Sequence, residues 1–139
     1  MSVSVVYWSG TGNTQTMAEA VAEGIRMAGQ EPAVLEVSAA DPAALASGNA
    51  FALGCPSMGA EQLEETEMEP FVEALEPLVS GKNILLFGSY GWGDGEWMRS
   101  WEETCRGAGA QLACESVICN ETPDEAGLEN CRALGAALA

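Results

Sequence analysis

Two runs, Ala50-Phe51-Ala52-Leu53-Gly54-Cys55 and Asn83-Ile84-Leu85-Leu86-Phe87-Gly88, are apolar on consecutive residues rather than on alternate ones. A strand with one wet face alternates, whereas a strand covered on both faces does not. Strands of this kind need a layer of helices on each side of their sheet. The flanking sequence supplies them. Val3 to Tyr7 reads as a first strand, and Met17, Ala18, Val21 and Ile25 mark the apolar stripe of a helix behind it. Gly29 makes a C-terminal stop for that helix and Pro32 forbids its continuation, so residues 33–37 read as a second strand. Asp41-Pro42 opens a short helical turn through Leu45. Pro70 suits the first turn of a helix running through Phe71, Leu75 and Leu78. A helix over Glu96–Gly107, a fifth strand over 111–119 and a closing helix over 124–138 complete the chain. Strands alternating with helices predict an α/β fold with a doubly wound parallel sheet. At 139 residues, with no internal repeat, low-complexity tract or linker, one domain over 1–139 is expected.

Between the first strand and its helix lies Ser9-Gly10-Thr11-Gly12-Asn13-Thr14, four short polar side chains and two glycines. Glycines let the backbone turn sharply and admit a ligand close to the main chain. The helix that follows contributes unpaired N–H groups and the positive end of its dipole. Together they predict an anion site, most simply for a phosphate. A Walker A loop needs Gly-Lys-Ser/Thr, and no lysine occurs between Met1 and Gln30. The dinucleotide fingerprint needs a third small residue, and Gly10-x-Gly12 is followed by Asn13, Thr14 and Gln15. Hydroxyls without a cation suit a single terminal phosphate. The competing reading is an ordinary Ser/Thr/Asn helix cap.

Charge narrows the partners. Against 21 Asp+Glu stand 5 Lys+Arg, a formal net charge of −16, so nucleic acid and anionic membrane surfaces are excluded as ligands. The natural complement is a basic partner. No histidine is present, which removes the commonest general base and metal ligand. Five cysteines, without C-x-x-C spacing and odd in number, read as reduced thiols of a cytoplasmic protein, packed as small hydrophobes. The chain enters its first strand without a basic and then apolar leader, and no apolar stretch approaches membrane-spanning length, so neither signal peptide nor anchor is expected.

Three loops follow strands one, three and four, and in a doubly wound sheet all emerge at the carboxyl edge, where ligands bind. The second, Pro56-Ser57-Met58-Gly59-Ala60-Glu61, offers a thioether. The third, Ser89-Tyr90-Gly91-Trp92-Gly93-Asp94-Gly95, offers an indole. A planar ring would lie between Met58 and Trp92 through sulfur–aromatic and stacking contacts. Both could instead be core residues, but their glycine neighbours leave them no helix or strand face to pack under. Glu61 either accepts a hydrogen bond from a ring N–H or simply starts the acidic stretch with Glu at 61, 64, 65, 67, 69, 73 and 76.

Taken in order at three strand ends, these loops resemble those of short-chain flavodoxins of anaerobic bacteria, and the likeness covers essentially the whole chain. The fifth strand runs directly to the last helix, without the insertion of long-chain members. The resemblance implies strand order 2-1-3-4-5, helices on both faces, and non-covalently bound FMN. It implies that Ser9, Thr11, Asn13 and Thr14, with the backbone of Gly10 and Gly12, hold the 5′-phosphate and that Trp8 helps cover it. Met58 and Trp92 would flank the isoalloxazine, the Gly59–Ala60 peptide would sit beside N5, and Glu61 would meet N3–H. Backbone around Gly91 and Ser89 would line the ring and ribityl chain, and Ser57, Tyr90, Gly93 and Asp94 would complete the FMN-binding loops. At Ala60 the family often carries Gly, Asp or Ser.

The implied function is a low-potential one-electron carrier that shuttles between redox partner proteins on the semiquinone/hydroquinone couple. Glycine at the first central position of a Met58–Glu61 turn favours type II′, which would offer the Gly59 carbonyl to a reduced N5–H and stabilise the semiquinone. The glutamate stretch, with Asp94 and Glu96, would oppose the anionic hydroquinone and orient basic docking patches on oxidoreductase partners. Most of that stretch is expected to be a solvated helix face. The protein is expected to be a monomer and not an enzyme in its own right. The alternative is an FMN-dependent quinone or azo reductase on a related fold. A phosphoacceptor domain is set aside because Gly54-Cys55-Pro56 stands where its Asp would be, and Cys55 should be inert from burial.

Overall fold

The apolar pattern resolves into two packed faces of one sheet. A computed structural model of the protein describes residues 3–10, 12–48, 50–58, 62–91, 93–112 and 114–138. Five strands, β1 (Val3–Tyr7), β2 (Pro32–Glu36), β3 (Ala50–Gly54), β4 (Asn83–Tyr90) and β5 (Val117–Asn120), pair in parallel in the order β2-β1-β3-β4-β5. Among the described residues five α-helices alternate with them: α1 (Asn13–Met27), α2 (Pro42–Ala46), α3 (Met68–Leu75), α4 (Glu96–Gly107) and α5 (Glu125–Leu138).

Successive strand residues feed opposite cores, as the period of two requires. Val6, Phe51, Leu53, Ile84 and Leu86 pack with residues of α3 and α4, among them Phe71, Leu75, Trp97 and Trp101. Val5, Ala52, Leu85 and Phe87 pack with Met17, Val21 and Ile25 of α1 and with Cys131, Leu134 and Leu138 of α5. Burial on both sides explains why β3 and β4 are apolar throughout.

Several element ends differ from the expectation, each for a local reason. Asn13 and Thr14 belong to the first turn of α1 rather than to the loop before it. Pro32 opens β2, an edge strand, and the first residue of such a strand tolerates the loss of an N–H. The helix through Phe71 begins at Met68 and stops at Leu75, giving way to a 3-10 turn at Glu76–Leu78, because Pro77 cannot continue the α-helical ladder. β4 extends to Tyr90, since Ser89 and Tyr90 pair with Cys119 and Asn120 of β5. β5 is shorter than read. Gln111 makes an isolated bridge to Asn83, and the ladder resumes only at Val117, after the polar Glu115 and Ser116. Asp41 and Asp124 cap their helices, accepting from Ala44 N at 3.1 Å and from Gly127 N at 2.8 Å.

Candidate functional site

At the carboxyl end of β1 the chain reverses through Trp8, Ser9 and Gly10 into α1. Gly12 sits at the cap with φ 96°, a left-handed conformation that costs an L side chain about 1–2 kcal/mol. Ser9 stabilises the reversal from inside: its Oγ accepts from Gly12 N at 3.1 Å and from Gln15 N at 3.2 Å. Trp8 is tied to β3 through its amide, which donates to Gly54 O at 3.0 Å, and its ring lies across Gly10. The amides of Asn13 and Thr14 open the helix with no acceptor among the described residues. Orphan donors of this kind concentrate positive potential at a helix N-terminus.

Thr14 is buried, and its hydroxyl pairs with Ser89 Oγ at 2.9 Å, joining the start of α1 to the end of β4. Next to it, Cys55 N donates to Phe87 O and Ser57 N to Ser89 O, which carries the sheet register on past the end of β3. Met58 and Gln62 then exchange both backbone hydrogen bonds, at 2.9 and 3.0 Å. The three strand ends so held together enclose a cleft of about 560 Å³. Trp8, Gly10, Asn13, Ser57, Met58, Ser89, Tyr90 and Gly91 line it, so eight of the residues singled out in sequence converge on one cavity. Ser9, Gly12 and Thr14 do not line it, but Thr14 holds the lining residue Ser89 and Ser9 holds the turn. Gly93 and Asp94 stand outside it, where Asp94 meets Arg99. Thr11, Gly59, Ala60, Glu61 and Trp92 lie outside the described residues, and with them the turn argument at Gly59.

Pro56, Glu121 and Thr122 also line the cleft and were not anticipated. The last two lie beyond β5, whose C-terminal end opens at the same sheet edge. No glycine marks that loop. Its signal is a conformational one: Glu121 has φ 54° and its amide donates to Tyr90 O at 2.6 Å. Behind the cleft, Trp97 packs against Tyr90 with ring centroids 5.6 Å apart and donates to Cys55 O at 3.1 Å.

The electrostatics refine the charge argument. Among the described lining residues Glu121 alone is charged. Asp94 and Glu96, expected to add free negative charge, both meet the Arg99 guanidinium, at 2.9 and 2.7 Å. Glu64 is no solvated face residue either. It is 5 % exposed and accepts from Glu67 N at 2.7 Å, Met68 N at 3.0 Å, Thr66 N at 2.8 Å and the Thr66 hydroxyl. Burial alone would push its carboxyl up. The hydrogen bonds from the Thr66 hydroxyl and the three amides outweigh it and hold the carboxyl below its ordinary value. Cys55 is wholly buried, and burial, partly offset by the Glu64 amide, pushes its thiol up to about 12. It is inert at neutral pH, as expected.

A cleft of this volume is in the range of cofactor sites, about 300–1,000 Å³. Its donor set, orphan amides with Ser and Asn side chains and no described cation, fits a phosphate held by hydrogen bonds, and half-buried Tyr90, Met58 and Trp8 offer apolar surface to a ring.

Comparison with known proteins identifies the family. The family model described as Flavodoxin matches residues 5–135. The chain is 47% identical over 124 residues to a flavodoxin of Clostridium beijerinckii, covering 89% of this chain and 90% of that one. It is 42% identical over 137 residues to a flavodoxin of Megasphaera elsdenii, covering 99% and 98% of the two chains. The solution structure of the two-electron reduced Megasphaera elsdenii flavodoxin is similar to this fold with a TM-score of 0.90, over 98% of this chain and 97% of that one. Likeness in sequence and in backbone that runs from the first strand to the last helix places this chain in the flavodoxin family.

Proposed function

We propose that the cleft at the ends of β1, β3 and β4 holds FMN without a covalent bond and that the chain carries single electrons at low potential between redox partner proteins. Membership of the flavodoxin family supports the carrier and the cofactor. The observation that carries the residue assignment is the start of α1, where the amides of Asn13 and Thr14 have no acceptor among the described residues and Asn13 lines a cleft without any described cation. When bound, FMN supplies a ring that takes up and returns electrons one at a time.

The chain's own residues bind, orient and shield. The amides of Asn13 and Thr14, with Thr11 and the Ser9-supported turn through Gly10 and Gly12, would hold the phosphate, and Trp8 would cover it. Met58 and Trp92 would flank the ring, the Gly59–Ala60 peptide would be the group nearest its N5, and Glu61 would accept from its N3–H. Ser57, Ser89, Tyr90 and Gly91, which line the cleft, would meet the ring and the ribityl chain, with Gly93 and Asp94 shaping the loop outside them. The acidic surface orients basic patches on partner oxidoreductases and makes association salt-dependent. The protein works as a monomer without a substrate reaction of its own. Its five free thiols suit the reducing cytoplasm, and among the described residues no helix is long and apolar enough to cross a membrane.

An anaerobic stepwise reduction of the FMN-loaded protein tests this reading. A long-wavelength absorbance band should rise over the first electron and fall over the second. Direct bleaching without that band, or oxidation of NAD(P)H by the purified protein alone, overturns the carrier in favour of a two-electron reductase.

A further inference from the structure

Away from the cleft, β5 and α5 bring two thiols together. Cys119 is the one buried residue of β5, and Cys131 is wholly enclosed within α5. Both belong to the apolar cluster between the sheet and the α1/α5 layer. Gly127 stands one turn before Cys131 on the same face of the helix. A Cβ built on Gly127 would come within 2.6 Å of Cys119 Sγ. The Cys119 sulfur is therefore seated directly on α5, on the face that Cys131 shares. Glycine at 127 makes the room for it.

The two groups respond to each other. A hydrogen bond from the Cys131 thiol lowers the pKa of Cys119 against the opposing effects of burial and Asp124. The same bond, with burial, pushes Cys131 up. Cys119 is 7 % exposed and Cys131 fully enclosed, so an oxidant reaches the Cys119 sulfur first. Two other thiols lack this arrangement. Cys55 and Cys105 are buried, and each is pushed up to about 12.

We propose that Cys119 and Cys131 form an oxidisable dithiol, closed by a peroxide-class oxidant into a disulfide that staples α5 to β5. The Cys119 thiolate attacks one peroxide oxygen; an S–O bond forms, the O–O bond breaks, and the departing hydroxide takes up a proton as water. The Cys131 sulfur then displaces the oxygen from the Cys119 sulfenic acid, and the thiol proton leaves with it as a second water. Two thiols lose two electrons and one hydrogen peroxide becomes two waters. The bond closes a loop over 120–130, which contains Glu121 and Thr122 on the cleft wall.

Treatment of the FMN-loaded protein with hydrogen peroxide, unfolding in alkylating agent and cleavage after glutamate separate the thiols by sequence. Cys119 falls in fragment 116–121, Cys131 in 130–139 and Cys114 in neither. The expected product is 116–121 joined to 130–139, two hydrogens lighter and separable by reductant, appearing before oxidation of any other cysteine. In Cys131→Ser the reaction should stop at a Cys119 sulfenic acid that a 1,3-diketone traps. The proposal fails if wild type yields both fragments alkylated while other cysteines oxidise, if Cys119 advances to sulfinic acid beside an alkylated Cys131, or if Cys119 links to Cys114. The wild-type map decides even where the variant does not fold.

Discussion

Replacing Glu64 by Gln leaves shape almost unchanged and alters only charge and one acceptor. In the native protein Oε1 takes the amides of Glu67 and Met68, and Oε2 takes the amide and hydroxyl of Thr66. A glutamine keeps one oxygen and turns an N–H pair toward donors. At least one buried amide then loses its acceptor, at about 1–3 kcal/mol, and the remaining bonds lose their charge-assisted part. The expected total is about 2–3 kcal/mol. With unfolding entropy near 2.1 cal/mol/K per residue, a chain of this length loses roughly 7–10 °C in Tm. The sign with pH follows from the lowered native pKa. The stabilisation is fully present above the unfolded carboxylate value, about 4.3, and is lost as pH falls through the lower native value. Thermal unfolding of wild type and Glu64→Gln should show the full gap at pH 7 and a narrowing gap in acid. Equal midpoints at pH 7, or a gap that acid leaves untouched, would refute the capping role.

The hydroxyl pair that joins α1 to β4 should behave as a unit. Thr14→Val and Ser89→Ala should each cost about 1–3 kcal/mol by stranding a buried partner, and the double variant should cost less than their sum by about 1 kcal/mol in urea unfolding. Strict additivity would mean that the 2.9 Å contact carries no energy. Arg99→Gln should release Asp94 and Glu96 and make the protein one unit more negative. Stopped-flow electron transfer to a small basic haem protein should then become faster at low ionic strength and steeper in its salt dependence, with Tm almost unmoved.

Much of this was written locally. The unbroken apolar runs of β3 and β4 required a sheet buried on both faces, and the run from Ser9 to Thr14 signalled a turn into a helix start, because strand period, glycine conformation and helix-end amides act within a few residues. The tertiary structure decided what distant residues do to one another. Glu64 reads in sequence as one glutamate in an acidic stretch, and only the fold turns it inward onto three amides. Arg99 pairs with both Asp94 and Glu96 through a side-chain rotamer that composition does not reveal. Glu121 and Thr122 reach the cleft because β5 lies beside β4, a pairing set by packing across the sheet. Gly24 and Gly135 show the same division: each looks like a weak helix residue. The reason for both is that α1 and α5 pack so closely that a Cβ on either would stand 1.9 Å from a carbonyl oxygen of the other helix. Periodicity and turn chemistry are properties of neighbouring residues, legible one window at a time; contacts between residues far apart in the chain exist only once the sheet has assembled.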